Sequence, residues 1–157
     1  MSTEDNKALV RRIFEEGINQ TNPSVIDELL AHNFVIYDPP PGFPHDREGF
    51  RQLFATFRTA FPDLHVTFEA ELADGDYVIH RGYGTGTHTG EFQGMPPTGK
   101  QVKINFIHIW RVANGKAVEN WVQLDMLGLM QQLGVIPAPG HGEATREAEQ
   151  RQQRQEQ

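Results

Sequence analysis

Hydrophobic positions change their spacing near Pro62, dividing the chain into a helical half and a strand half. Leu9, Val10, Ile13, Phe14 and Ile18 recur at helical intervals behind Ser2 or Thr3, which predicts an amphipathic helix over 4–20. "TNPSVIDELL" predicts a turn and a short second helix ending near His32. "NFVIYD" alternates and predicts a short strand, and the prolines of "PPPGFPH" make the next segment a stiff loop. A third helix opens at about Asp46, carries Phe50, Leu53, Phe54, Phe57 and Phe61 as one aromatic stripe, and stops at Pro62.

Beyond Pro62 the period is two. Two alternating runs flank Asp74-Gly75 and two more flank Asn114-Gly115, each pair of residues being a strong hairpin signal. Helices first and a long antiparallel sheet afterwards describe an α+β domain with its helices on one face. The sheet must curl over the Phe-rich helix, and Gly82, Gly84 and Gly86 allow one strand to bend. The domain is expected over 1–136. A polar tail over 137–157 has almost nothing to bury and is expected to be mobile or a frayed helix.

The turns act as rulers. A two-residue turn at Asn114-Gly115 pairs His108 with Trp121, Trp110 with Glu119, Phe106 with Gln123 and Ile104 with Asp125. One face then carries Phe106, His108, Trp110, Glu119, Trp121, Gln123 and Asp125, and its aromatics interspersed with polar groups suit a ligand pocket. His108 and Asp125 would stand roughly 13 Å apart along the sheet, as two walls of one cavity. The turn at Asp74-Gly75 pairs Glu69 with His80 as a solvent-exposed couple. It also sets Arg81 on an apolar face with Tyr83, where an arginine must reach solvent or meet an anion or carbonyl.

Composition narrows the partners. A formal charge of −7 argues against nucleic acid, which calls for clustered cations. With no cysteine there are no disulfides, no thiolate metal sites and no Cys nucleophile. The seven histidines lack metal-site spacing, so no metal and no cofactor are expected. The N-terminus lacks an apolar signal segment and no stretch is long enough to span a membrane, so a cytoplasmic protein is expected.

"GTGTHTGEFQGMPPTGKQV", followed by a strand, "NGK", a Trp-bearing strand and "DMLGLMQQLG", resembles the SnoaL-like polyketide cyclase family, from about Lys7 to Gly134. The resemblance implies a cone-shaped α+β barrel like that of ketosteroid isomerase: a curved antiparallel sheet wrapped around three helices, with an apolar cavity open at one end. It also implies a homodimer or homotetramer, and a cofactor-independent aldol closure of a polyketide ring. Counted from "NGK", the family's pocket histidine falls on His108 and its acid/base aspartate falls on Val122, which cannot move a proton.

Either Asp125 takes over the proton chemistry, or His108 acts alone, or the chain is not an aldol cyclase. Asp125 has a second reading, as a cap on the helix that follows it. His108 has one as a satisfied histidine packed beside Trp121. The catalytic candidates are thus His108 and Asp125; Arg81, Tyr83, Phe54, Phe57, Phe106, Trp110, Trp121 and Gln123 are candidates for binding a small apolar or aromatic ligand. The expected activity is cyclase, isomerase or aldol chemistry on an apolar carbonyl compound. The alternatives are a non-catalytic binding protein using the same cavity, or an assembly domain that pairs through its outer sheet face.

Overall fold

The first helix starts where its cap dictates. In the computed structural model, which describes residues 2–137, α1 (Thr3–Phe14) opens with a reciprocal cap. The Asp5 N–H donates to Ser2 Oγ at 3.1 Å and the Ser2 N–H donates to the Asp5 carboxylate at 3.2 Å. The helix runs into a π turn over Glu15–Asn19, and Leu9, Val10, Ile13, Phe14 and Ile18 are all buried, as their spacing requires. After α2 (Ser24–Leu29) the chain passes directly into β1 (Leu30–Tyr37), so His32 lies in the strand and not at a helix end. α3 (Arg47–Ala60) is capped by the Asp46 carboxylate, which accepts the Gly49 N–H at 2.9 Å. A Cβ at Gly49 would lie 1.7 Å from the Pro44 carbonyl oxygen, so only glycine lets the proline loop rest on this first turn.

The sheet comprises β1 with β2 (His65–Asp74), β3 (Tyr77–Thr87), β4 (Gln101–Ala113) and β5 (Lys116–Leu124), in the order β1-β5-β4-β3-β2. β1 runs parallel to β5 and the other pairings are antiparallel. The sheet is curved and not closed, with α1 packed on β2 and β3 and α3 on β1. At the β3 glycines the structure shows close approach of neighbouring groups. A Cβ at Gly82 would come within 2.1 Å of the Thr67 carbonyl oxygen, and one at Gly86 within 2.7 Å of Phe61 Cβ. α4 (Met126–Gln132) follows β5. Its Gln132 side chain accepts the Lys103 N–H at 2.7 Å and donates to the Lys103 carbonyl at 2.8 Å. The tail expected over 137–157 lies outside the described residues except for Pro137. Among the described residues no helix is long and apolar enough to cross a membrane.

Two bulges correct the expected register. The Asn114-Gly115 turn forms as expected, with Ala113 opposite Lys116, but a bulge between Arg111 and Val112 shifts everything beyond it by one residue. His108 therefore faces Val122, Trp110 faces Asn120 and Phe106 faces Leu124. The first hairpin turns at Gly75-Asp76, not Asp74-Gly75, with Asp74 opposite Tyr77 and Gly75 at a φ of 56°. That turn sets Glu71 opposite His80 and leaves Leu72 61 % exposed, and a second bulge, between Phe68 and Ala70, shifts the strand beyond it by one residue. His80 is fully buried, so the expected solvent-exposed pairing with Glu69 is overturned.

Candidate functional site

Between α1, α3 and the sheet lies a cavity of about 40 Å³, lined by Phe14, Phe54, Phe57, Phe106, His108 and Leu124 together with smaller apolar side chains. That is room for about one water molecule at roughly 30 Å³ each, whereas ligand pockets run to about 300–1,000 Å³. The expected ligand-sized hollow is therefore filled, and aromatic rings fill it. Phe14 is central: its ring meets those of Phe54, Phe68, His80, Phe106, His108 and Trp110 at centroid distances between 5.0 and 6.1 Å.

His108 stands in the cavity wall, packed against Phe14, Phe106 and Trp110. Its Nδ1 is 3.0 Å from the Asn120 side-chain nitrogen, which also lies 3.5 Å from the Ile109 carbonyl. An amide nitrogen only donates, so Nδ1 is the acceptor and Nε2 carries the hydrogen. Burial, with a contribution from nearby His80, lowers the His108 pKa to about 3. His108 is thus a neutral hydrogen-bond donor at neutral pH and a poor base.

One strand away, His80 is the cross-strand neighbour of His108 and stacks on Phe68 at 3.9 Å. Its Nε2 donates to Glu71 Oε2 at 2.8 Å, and Arg11 holds the same carboxylate through its Nε at 2.9 Å and through Nη2. Burial pushes the Glu71 carboxyl up, but the hydrogen bonds from Arg11 and His80 outweigh it and leave the group below its ordinary value. Burial lowers His80, and Glu71 only partly offsets this. His80 Nδ1 is buried and has no partner among the described residues.

Of the sequence-predicted site residues, the structure gathers Phe54, Phe57, Phe106 and His108 around the cavity. Trp110 is fully buried behind them, against Phe34 and Phe50. The others lie outside the cavity: the bulge between Arg111 and Val112 turns Trp121 and Gln123 to the outer face, and on β3 Arg81 and Tyr83 alternate with the inward His80 and Gly82. Trp121 stacks on Tyr37 at 5.0 Å, and Gln123 is exposed. Arg81 is exposed with Glu69 at 4.0 Å, and Tyr83 lies under the Lys103 ammonium at 4.2 Å. Asp125 is exposed and caps α4, accepting the Gly128 N–H at 2.9 Å, so it does not share a cavity with His108. His88 anchors the β3–β4 loop, as its Nδ1 accepts the Thr98 N–H at 3.2 Å. Asn120, Glu71 and His80 went unselected in the sequence: the bulge between β4 and β5 brings Asn120 to the inner face, the displaced turn sets Glu71 against His80, and periodicity carries no signal for either. Among the described residues no three His, Asp or Glu side chains gather as a metal site would require.

The chain resembles known proteins over most of its length. The family model described as SnoaL-like polyketide cyclase matches residues 8–133. Aklanonic acid methyl ester cyclase DauD of Streptomyces sp. (strain C5) is 27% identical over 132 residues, covering 80% of each chain. The crystal structure of IdmH from Streptomyces antibioticus, a candidate polyketide cyclase, is 31% identical with a TM-score of 0.71, covering 82% of this chain and 98% of IdmH. AclR from Streptomyces galilaeus, a candidate hydroxylase, is 30% identical with a TM-score of 0.78, covering 87% of this chain and 89% of AclR. The match embraces the helices, both hairpins and the wall that holds His108, and the chain belongs to the SnoaL-like polyketide cyclase family.

Proposed function

We propose that this chain is a cofactor-independent acid/base enzyme that acts on an apolar, polyketide-like carbonyl compound by cyclase, isomerase or aldol-type chemistry. The observation that carries the reading is His108: a neutral imidazole, fixed by Asn120, whose Nε2–H is the hydrogen-bond donor in an otherwise apolar wall. A donor in a dry site strongly stabilises charge that develops on a carbonyl oxygen as an enolate forms. A substrate of this class is larger than the cavity, so it binds by displacing aromatic rings, with Phe14 the central one.

One observation favours a second reading, a non-catalytic binding protein: the interior residue opposite His108 is Val122. Turnover separates the two. With aklanonic acid methyl ester as the first probe, chosen from the name of the DauD relative, His108→Gln is expected to lower kcat by about 100-fold or more. Binding of the ester with no conversion by the wild-type protein would select the second reading.

For the assembly we propose a homodimer through the outer sheet face, where Leu72, Tyr77 and Ile107 are exposed. Light scattering that gives a monomer mass at micromolar concentration would remove it.

A further inference from the structure

The family's proton-transferring carboxylate has no counterpart at Val122, yet a carboxylate does reach an interior group from elsewhere. Glu71 on β2 holds His80 on β3. We propose that His80, positioned by Glu71, is the base of the interior site, and that His108 is the donor that works with it. This inference rests on the function proposed above and supplies the residue that reading leaves unassigned.

Three features of the pair support it. First, a carboxylate can only accept, so the 2.8 Å contact fixes the hydrogen on His80 Nε2 and leaves the Nδ1 lone pair free. That lone pair is buried and unpaired among the described residues, which is costly in a core and suits a proton acceptor awaiting its partner. Second, Glu71 is held from behind by Arg11, so the carboxylate keeps its charge and its orientation. This is the arrangement in which an acid orients a histidine and stabilises the imidazolium it becomes. Third, His80 and His108 are opposite one another across β3 and β4, and the Phe14 ring borders both, at 5.9 and 5.3 Å. A substrate ring that takes the volume of the Phe14 ring meets both imidazoles. Phe14 is also the last residue before the π turn, an irregularity often found at functional sites.

The two histidines then divide the work. The proton on the carbon beside the substrate carbonyl moves to His80 Nδ1, and the C–H electron pair becomes the enolate. The enolate oxygen accepts from His108 Nε2–H. The enolate carbon attacks a second carbonyl of the same molecule, and the resulting alkoxide recovers the proton from Nδ1. No co-reactant is consumed.

Nitrogen-15 NMR of histidine-labelled protein, combined with turnover of aklanonic acid methyl ester, tests the pair. In the wild type His80 is expected as a neutral ring with its hydrogen on Nε2, a reading that needs no variant and no substrate. In Glu71→Gln, Arg11 claims the amide oxygen and the NH2 group turns to Nε2, which forces the Nδ1–H form. That variant is expected to lose about 100-fold or more in kcat with KM within about 3-fold, while Glu71→Asp recovers part of the loss. The groups facing His80 are Glu71 from β2, His108 from β4 and, through Glu71, Arg11 from α1. Removing the carboxylate shifts the acid limb of the pH–rate profile to lower pH, since Glu71 is what holds His80 up.

An Nδ1–H tautomer in the wild type, or wild-type kcat and pH profile in Glu71→Gln, overturns the proposal. A wild type that shows the expected tautomer but converts no ester supports the free acceptor and removes only the function proposed above.

Discussion

The two buried histidines sit side by side and are made different by their backing. His108, on the β4–β5 side, is backed by an amide that donates, so it offers the interior a hydrogen. His80, on the β2–β3 side, is backed by a carboxylate that accepts, so its other nitrogen is left with a lone pair. Identical side chains on adjacent strands become a donor and an acceptor because of residues that lie next to the cavity without lining it. The neighbour's chemistry, more than the histidine itself, decides what the site can do.

The largest effect is expected from removing the ring that joins the two sides. Phe14→Ala should cost about 3–5 kcal/mol, because a fully buried ring is lost from a packed interior that relaxes only in part. Urea denaturation measures the loss. If the variant stays folded, the enlarged apolar space should take up a small aromatic such as benzene, seen as a stability gain on adding it. A loss below about 1 kcal/mol would mean that the ring is not packed as described.

The second test removes the backing on one side. Asn120→Ala should cost about 1–3 kcal/mol by leaving His108 Nδ1 unpaired in the core. It should also free the His108 tautomer while that of His80 is unchanged. Equal changes at both rings would dissolve the contrast between them.

Acid offers a third test. His108 has its pKa lowered from 6.5 to about 3 in the folded protein, so between those values the unfolded chain binds more protons than the folded one. The stability it confers is complete above 6.5 and is lost as pH falls towards about 3. From this group alone the slope is about 1.4 kcal/mol per pH unit at most. His80 and Glu71 are also lowered and act in the same direction. His108→Gln should flatten the slope, as measured by denaturation at several pH values.

The smallest effect is expected outside. Asp125→Ala removes the cap of α4 and should cost about 1 kcal/mol, with kcat on the ester unchanged. Loss of turnover in a protein that keeps its melting temperature would return Asp125 to the site.

Much of the fold was legible in the sequence because the pattern that specified it is local. The helical spacing of Leu9 to Ile18, the start of the third helix at Asp46 and the Asn114-Gly115 turn each act within a few residues, and each appears where it was expected. The site was only half legible. Phe106, His108 and Trp110 lie on one strand with an unbroken alternation, so their sharing of a face could be read directly, and the aromatics on it pointed to the inner side. Trp121, Gln123 and Asp125 depended on counting across a turn, and one bulged residue reversed the count. On the other hairpin a displaced turn changed the cross-strand partners, and a second bulge put Val66 and Phe68 opposite Gly84 and Gly82, so that the outer face keeps Arg81 and Tyr83 and the inner face His80. The parallel pairing of β1 with β5 had no local signature, since it joins segments far apart in the chain. Cavity size was also unreadable, because it depends on how the Phe14 ring settles among rings from four other elements.

The Gln132 clasp on Lys103 has a consequence for behaviour in concentrated solution. β5 ends at Leu124, opposite Phe106, while β4 continues to Gln101, so a short stretch of β4 would present bare main-chain donors and acceptors on that side. An open stretch of this kind templates pairing with other molecules and seeds aggregation. By meeting both the N–H and the carbonyl of Lys103, one glutamine amide takes the place of the missing strand along that stretch of β4.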